Sequence, residues 1–227
     1  MKRLLAAFAI SGVGIFIGCV KEQCPVQASD VRNLCSNGIP NFQLVTGSEA
    51  NGHAIYRGGQ PTEAGWSYLH TLGVTTVVKL NDAQAESLGQ GMDDPASRLG
   101  MRVVDASIPP RDFGLSLKSM QQVVEGLPED QVGRAIATLA GVGNGSVYVH
   151  CTHGRDRTGL IVGLFRVFQQ HWKAEDAYRE MKQEGFRPIN ANLFVFWHKL
   201  FDDDKESLER RERLQASINI ALQTPNR

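Results

Sequence analysis

Hydrophobic positions along the chain fall into short β-branched runs that alternate with longer segments of helical period. Strands are predicted over Phe42 to Val45, Ala54 to Arg57, Val74 to Leu80, Met101 to Ile108 and Ser146 to His150. Most of these runs are rich in Val, Ile, Thr and Tyr and end at turn-forming residues. Helices are predicted over Glu63 to Leu72, Pro128 to Gly141, Gly159 to His171, Ala174 to Glu184, Asn192 to Phe201 and Lys205 to Leu222. Alternation of the two signals implies an α/β fold, a central and mostly parallel sheet flanked by helices. The segment after the last strand is apolar nearly all round, through Leu160, Ile161, Val162, Leu164, Phe165, Val167 and Phe168, and should be buried against the sheet. Lys205 to Leu222 is charged along Lys205 to Arg213, with Leu208, Leu214, Ile218 and Leu222 near one side, as in a solvated terminal helix. Leu115 to Glu125 reads as an extra turn or helix, and Gly89-Gln90-Gly91 as a plain connection.

The N-terminal pattern differs. Lys2 and Arg3 precede a largely apolar core from Leu4 to Ile17, which is short for a membrane span, and Phe16-Ile17-Gly18-Cys19 follows. That ending resembles a bacterial lipobox, so residues 1–18 are expected to be a signal peptide and Cys19 the lipidated first residue, tethering the protein to a membrane. Phe16 stands where leucine is usual, which leaves an uncleaved anchor or an ordinary signal peptide as alternatives. Residues 19–41 carry the Gly, Pro, Asn and Ser of a tether, and 42–227 would form one domain. With Cys19 lipidated and Cys151 used in chemistry, Cys24 and Cys35 remain as a pair suited to an oxidising compartment. The expected location is the cell envelope, on the periplasmic side of a bacterial membrane.

Charge narrows the partners. There are 24 basic and 24 acidic residues, a formal net charge of zero, whereas a nucleic-acid-binding domain would be strongly basic. No nucleic-acid partner is expected.

Positive charge is instead local to Val147-Tyr-Val-His-Cys-Thr-His-Gly-Arg-Asp-Arg-Thr-Gly159. Cys151 ends a strand pattern, Arg157 follows six positions later, and Thr158 and Gly159 open the apolar helix. A loop between a strand and a helix N-terminus turns successive backbone N–H groups inward and cradles a tetrahedral oxyanion. A thiol at its base makes the cradle reactive. Free thiols are mostly protonated at neutral pH, so the helix dipole, the loop N–H groups, Arg157 and Arg155 would have to stabilise the thiolate. Arg157 can clamp two phosphate oxygens with its planar fork, which lysine cannot do. Thr152, His153, Gly154, Arg155 and Asp156 complete the substrate cradle. None of Cys19, Cys24 and Cys35 has an arginine six residues later.

His150-Cys151-x5-Arg157-Thr158 resembles the signature of the cysteine-dependent protein tyrosine phosphatases, and Cys-Thr-His-Gly-Arg-Asp-Arg-Thr-Gly their dual-specificity branch. Tyr56-Arg57-Gly58-Gly59-Gln60-Pro61 and Leu72-Gly73-Val74-Thr75-Thr76-Val77-Val78 are similar to the front half of small members, and Ala106-Ser107-Ile108-Pro109-Pro110 stands where the family has its acid loop. The resemblance covers roughly residues 42 to 202 and implies hydrolysis of a phosphate ester through a phosphocysteine, without metal or cofactor. It implies that Thr158 hydrogen-bonds the sulfur and that His150 buttresses the loop.

A general acid must protonate the leaving oxygen, and Asp112, in a loop after the Met101 to Ile108 strand, is the expected donor. Asp105 lies inside the strand pattern and fits less well. Asp156 is the alternative carboxylate; it could orient water in the second step or merely tie the loop through backbone N–H groups. A phosphorylated protein is the leading substrate, with an inositol phosphate or phosphoinositide as the alternative, since His153 and Arg155 favour a highly charged ligand. Other classes fit less: a metal site on His150, Cys151 and His153 lacks a fourth ligand at a customary spacing, a redox protein would need a resolving cysteine near Cys151, and a non-catalytic phosphate-binding module would not need the thiol.

Overall fold

A computed structural model describes residues 37–48, 53–81, 94–108, 127–141, 145–188 and 191–224, all within one compact unit spanning Leu34–Arg227. Five strands, β1 (Gln43–Ser48), β2 (His53–Gly58), β3 (Val74–Lys79), β4 (Arg102–Asp105) and β5 (Ser146–His150), form one sheet in the order β1-β2-β5-β3-β4. β1 pairs antiparallel with β2 at one edge, and every other pairing is parallel. Among the described residues seven helices surround the sheet: α1 (Glu63–Thr71), α2 (Asp94–Arg98), α3 (Glu129–Ala140), α4 (Asp156–Gln170), α5 (Ala174–Gln183), α6 (Ala191–Phe201) and α7 (Lys205–Gln223). The mostly parallel, helix-flanked architecture is the one the alternating pattern implies.

β5 lies at the centre and all five of its residues are buried, as a strand covered on both faces requires. Val147 and Val149 join the larger core, built with α3, α4, α6 and α7, while Tyr148 joins the smaller one with Trp66 and Leu69 of α1. His150 continues the alternation, stacked on Tyr148 at 5.5 Å and edge-on to Trp66 at 5.8 Å. α4 packs with Leu160, Ile161, Val162, Leu164 and Phe165 buried, so the helix behind the loop is held from most sides. Along α7 the one-sided reading is only partly realised: Leu214 and Ile218 are buried, whereas Leu208 and Leu222 are exposed.

Boundaries moved where the pattern was locally polar. α4 starts at Asp156 rather than Gly159, because its first turn is made of loop residues that carry no apolar period. β4 ends at Asp105, yet Ala106 and Ile108 still donate to the Lys79 and Leu80 carbonyls, so the chain runs on beside β3. The polar five-residue α2 has no periodicity to announce it. The end of the stretch read as tether is packed: Ile39 is fully buried and the Gly38 carbonyl accepts from Thr62. The extra turn expected at Leu115 to Glu125, the connection at Gly89 to Gly91 and the signal and most of the tether lie outside the described residues. Among the described residues no helix is long and apolar enough to cross a membrane.

Candidate active site

Parallel pairing sets the carboxyl ends of β2, β5 and β3 side by side, and the Cys151 to Arg155 loop leaves the central one. Crevices of this kind, beyond the carboxyl ends of parallel strands, are where α/β sheets bind ligands.

The loop is braced from the neighbouring strand ends. On the β2 side the Gln60 N–H donates to the Thr152 carbonyl at 3.1 Å. Gly154 adopts φ +71°, and a Cβ there would fall on the backbone of Gly58 and Gly59, so the position requires glycine twice over. Its carbonyl accepts from Arg57 Nη2 and from Asn41 Nδ2, each at 2.9 Å. Tyr148 donates its hydroxyl to the Gly59 carbonyl, fixing the Gly58-Gly59 bend from inside the core. On the β3 side the Leu80 N–H donates to the His150 carbonyl at 2.9 Å, and Asn81 Nδ2 donates to Gln60 Oε1 at 3.3 Å.

Cys151 is a free thiol, buried in the larger core cluster at the base of this loop. His150, fully buried between Tyr148 and Trp66, faces the opposite side of the sheet. That placement suits a buttress and does not suit a metal ligand or base. Among the described residues no group of three His, Cys, Asp or Glu side chains is placed to hold a metal.

At α4 no side chain caps the leading N–H groups, because Arg155 occupies the cap position without such a bond. Asp156 could have capped them, but its carboxylate turns to Arg187 instead. It accepts from the Arg187 backbone N–H at 2.9 Å and from Nη2 at 2.7 Å. Uncapped N–H groups at a helix start are an anion site in waiting. Arg157 lies in the same first turn and donates from Nη1 to the Ile108 carbonyl at 3.4 Å. Thr158 is fully buried, and its hydroxyl has no hydrogen-bond partner among the described residues. Arg155 lies across Gly185, where a Cβ would meet its Cδ at 2.9 Å.

The rim is cationic. Partial burial, and then Arg155 and Arg187, hold the His153 imidazole below the ordinary histidine range, with Asp156 acting in the other direction. Asp156, through its hydrogen bond, holds the Arg187 guanidinium above the usual arginine range. Two of the three candidate carboxylates can be placed. Asp156 is tied to Arg187, the arrangement of a loop anchor. Asp105 has burial acting against its ionisation, but bonds from Ser107 and Lys79 outweigh this and hold the carboxyl below the ordinary range, which disfavours it as a proton donor at neutral pH. Asp112 lies outside the described residues.

Thus Cys151, Thr152, His153, Gly154 and Arg155 lie on the loop and Asp156, Arg157 and Thr158 in the first turn of the helix that follows it. Arg57, Asn41, Gln60, Asn81 and Arg187 also build it but had been given no role. Arg57 alone left a signal in the sequence: a charge inside a buried strand, where the alternation calls for an apolar residue.

The fold and the loop together define an α/β protein with a buried thiol between its central strand and the helix behind it. The tyrosine phosphatase family model matches residues 41–192, and the chain belongs to that family. Among curated relatives, the dual specificity protein phosphatase TpbA of Pseudomonas aeruginosa is 30% identical over 138 residues, covering 58% of this chain and 51% of that protein. The inositol diphosphatase DSP3 of Arabidopsis thaliana is 28% identical over 146 residues, covering 64% of this chain and 62% of its own. The chain therefore spans between about half and just under two thirds of these relatives. Among solved structures, the core catalytic domain of the PP-IP phosphatase SIW14 from S. cerevisiae shares the fold with a TM-score of 0.52 at 20% identity, over 78% of this chain and 94% of that one.

Proposed function

We propose that this protein is a cysteine-dependent phosphomonoesterase of the tyrosine and dual-specificity type. The observation that carries the reading is a buried thiol at the base of a braced loop that runs straight into an uncapped helix N-terminus, with Arg157 in the first turn. The Cys151 thiolate attacks phosphorus in line, the S–P bond forms as the P–O bond to the leaving group breaks, and Asp112 gives its proton to the departing oxygen. Water then cleaves the phosphocysteine to inorganic phosphate, with the Thr158 hydroxyl, whose bond-forming capacity is unspent, stabilising the returning sulfur anion. Arg157 and the loop N–H groups, from Thr152 to Asp156, hold the equatorial oxygens throughout. Family membership supports this chemistry.

The leading substrate is a phosphorylated protein, in keeping with the bacterial relative's name. A specific observation also favours a small polyphosphorylated molecule such as an inositol phosphate: beyond the effect of burial, Arg155 and Arg187 lie near enough to His153 to lower its imidazole further. The plant relative's name points the same way. Phosphate release measured across phosphopeptides, inositol phosphates and phosphoinositides separates the two, and Cys151→Ser must abolish release from every one of them. Turnover by that variant would refute the mechanism. The N-terminal pattern supports export, cleavage after residue 18 and attachment through Cys19 to the periplasmic side of a bacterial membrane. Radiolabelled palmitate incorporation that vanishes in Cys19→Ala tests that attachment.

A further inference from the structure

Arg57 sits in β2 and is only 2% exposed, yet it forms no ion pair among the described residues. Its single side-chain hydrogen bond there runs from Nη2 to the Gly154 carbonyl, and its Nε is buried with no partner among the described residues. Glu184, which has the largest electrostatic influence on it, is engaged by Gln43 instead and also lends its backbone carbonyl to Asn41. A buried guanidinium without a direct ion pair is costly, and proteins seldom leave one so. The direction in which this one points resolves the anomaly. It lies directly behind the loop that carries Cys151, with its Nη2 3.8 Å from where a Cβ on Gly159 would stand.

We infer that Arg57 is a positioning residue whose counter-ion is the anion in the loop: the Cys151 thiolate when the site is free and the phosphate dianion when it is filled. Through Gly154 it fixes the loop conformation, and through its charge it favours negative charge in front of the loop. Electrostatics agree with the geometry. Burial pulls the guanidinium below the ordinary arginine range, and Glu184 and then Cys151 act in the opposite direction. Glu180 adds to that opposition, while Arg166 adds to the burial effect. The inference rests on the phosphatase reading of the same site, because it needs an anion at Cys151.

A purely structural arginine and a counter-charge arginine make opposite predictions for Arg57→Met, which keeps the buried stem and deletes the charge. If the charge serves the anion, the full-length variant in anion-free buffer melts within a few degrees of wild type or above it, since a buried cation without a direct ion pair has gone. Its melting-temperature rise on adding tungstate then shrinks to less than half the wild-type rise, and iodoacetamide alkylates Cys151 at pH 6 about tenfold more slowly, the scale of one charge acting across a loop. Arg57→Lys, which keeps the charge and loses the fork, retains most of both properties. A Met variant that fails to fold, or that melts far lower yet keeps the full tungstate shift, overturns the proposal. So does a Lys variant that loses as much as Met. Absence of any tungstate shift in wild type would instead sink the phosphatase reading itself, so the two failures are distinct.

Discussion

Two glycines with nearly the same backbone conformation allow the loop's geometry to be tested with an internal control. Gly154 has φ +71° and Gly73 has φ +72°. Alanine at either should cost the left-handed penalty of about 1–2 kcal/mol. They differ in what the new methyl meets: at Gly73 nothing lies within 4 Å, whereas at Gly154 it lands on the backbone of Gly58 and Gly59. Gly73→Ala is therefore expected to lower the melting temperature by about 3–6 °C for a domain of this size and to leave phosphatase activity unchanged. Gly154→Ala carries the same strain and must also push the loop off β2, stretching the two 2.9 Å bonds that its carbonyl accepts from Asn41 and Arg57. A displacement of about 1 Å in a positioned site costs on the order of 100-fold in rate. Turnover of p-nitrophenyl phosphate, read beside thermal melts of both variants, measures this. If Gly154→Ala keeps kcat/KM within about threefold of Gly73→Ala, the loop is not held by the Gly58-Gly59 contact and the reasoning fails.

Other outcomes follow from the same geometry. Asp112→Asn should slow esters with poor leaving groups far more than aryl phosphates, and an equal loss on both, measured as a leaving-group series, would assign the proton to another donor. Asp156→Asn, because the partner guanidinium is half exposed, should cost only about 1 kcal/mol in urea unfolding, without a pre-steady-state burst; a burst of product would show that Asp156 handles the second-step water instead. His153 is a base held below its ordinary 6.5, so the folded protein takes up fewer protons than the unfolded chain as pH falls past that value, and stability declines there. His153→Gln should flatten this decline in melts between pH 7 and 5. An arriving anion reverses the sign at that ring, so sulfate should inhibit wild type more strongly at pH 6 than at 7.5, and His153→Gln should lose that difference.

What the sequence disclosed and what it withheld divide along contiguity. The thiol, the fork arginine, the glycine and the helix behind them occupy one uninterrupted stretch, with the thiol and the glycine on the loop and the arginine in the first turn of the helix. β5 was bounded to the residue, since a strand buried on both faces carries no charged position among its Val and Tyr residues and is flanked by turn-forming ones. The supports of the loop come from elsewhere. Asn41 reaches Gly154 across 113 positions and Arg57 across 97, contacts that exist only because β2 and β5 pair in parallel. No local period encodes that pairing. Arg57 was visible as an offence against the alternation of β2, but an inward charge does not say which anion it answers until the neighbouring strand is known. Asp156 illustrates the converse. Its place beside the arginine invited a catalytic role, and only the arrival of Arg187, 31 positions away after α5, supplies it with a different partner. Charged residues at core positions are therefore the better guide to the hidden half of such a site than the motif that advertises its open half, because burial without a partner demands an explanation that the motif alone does not provide.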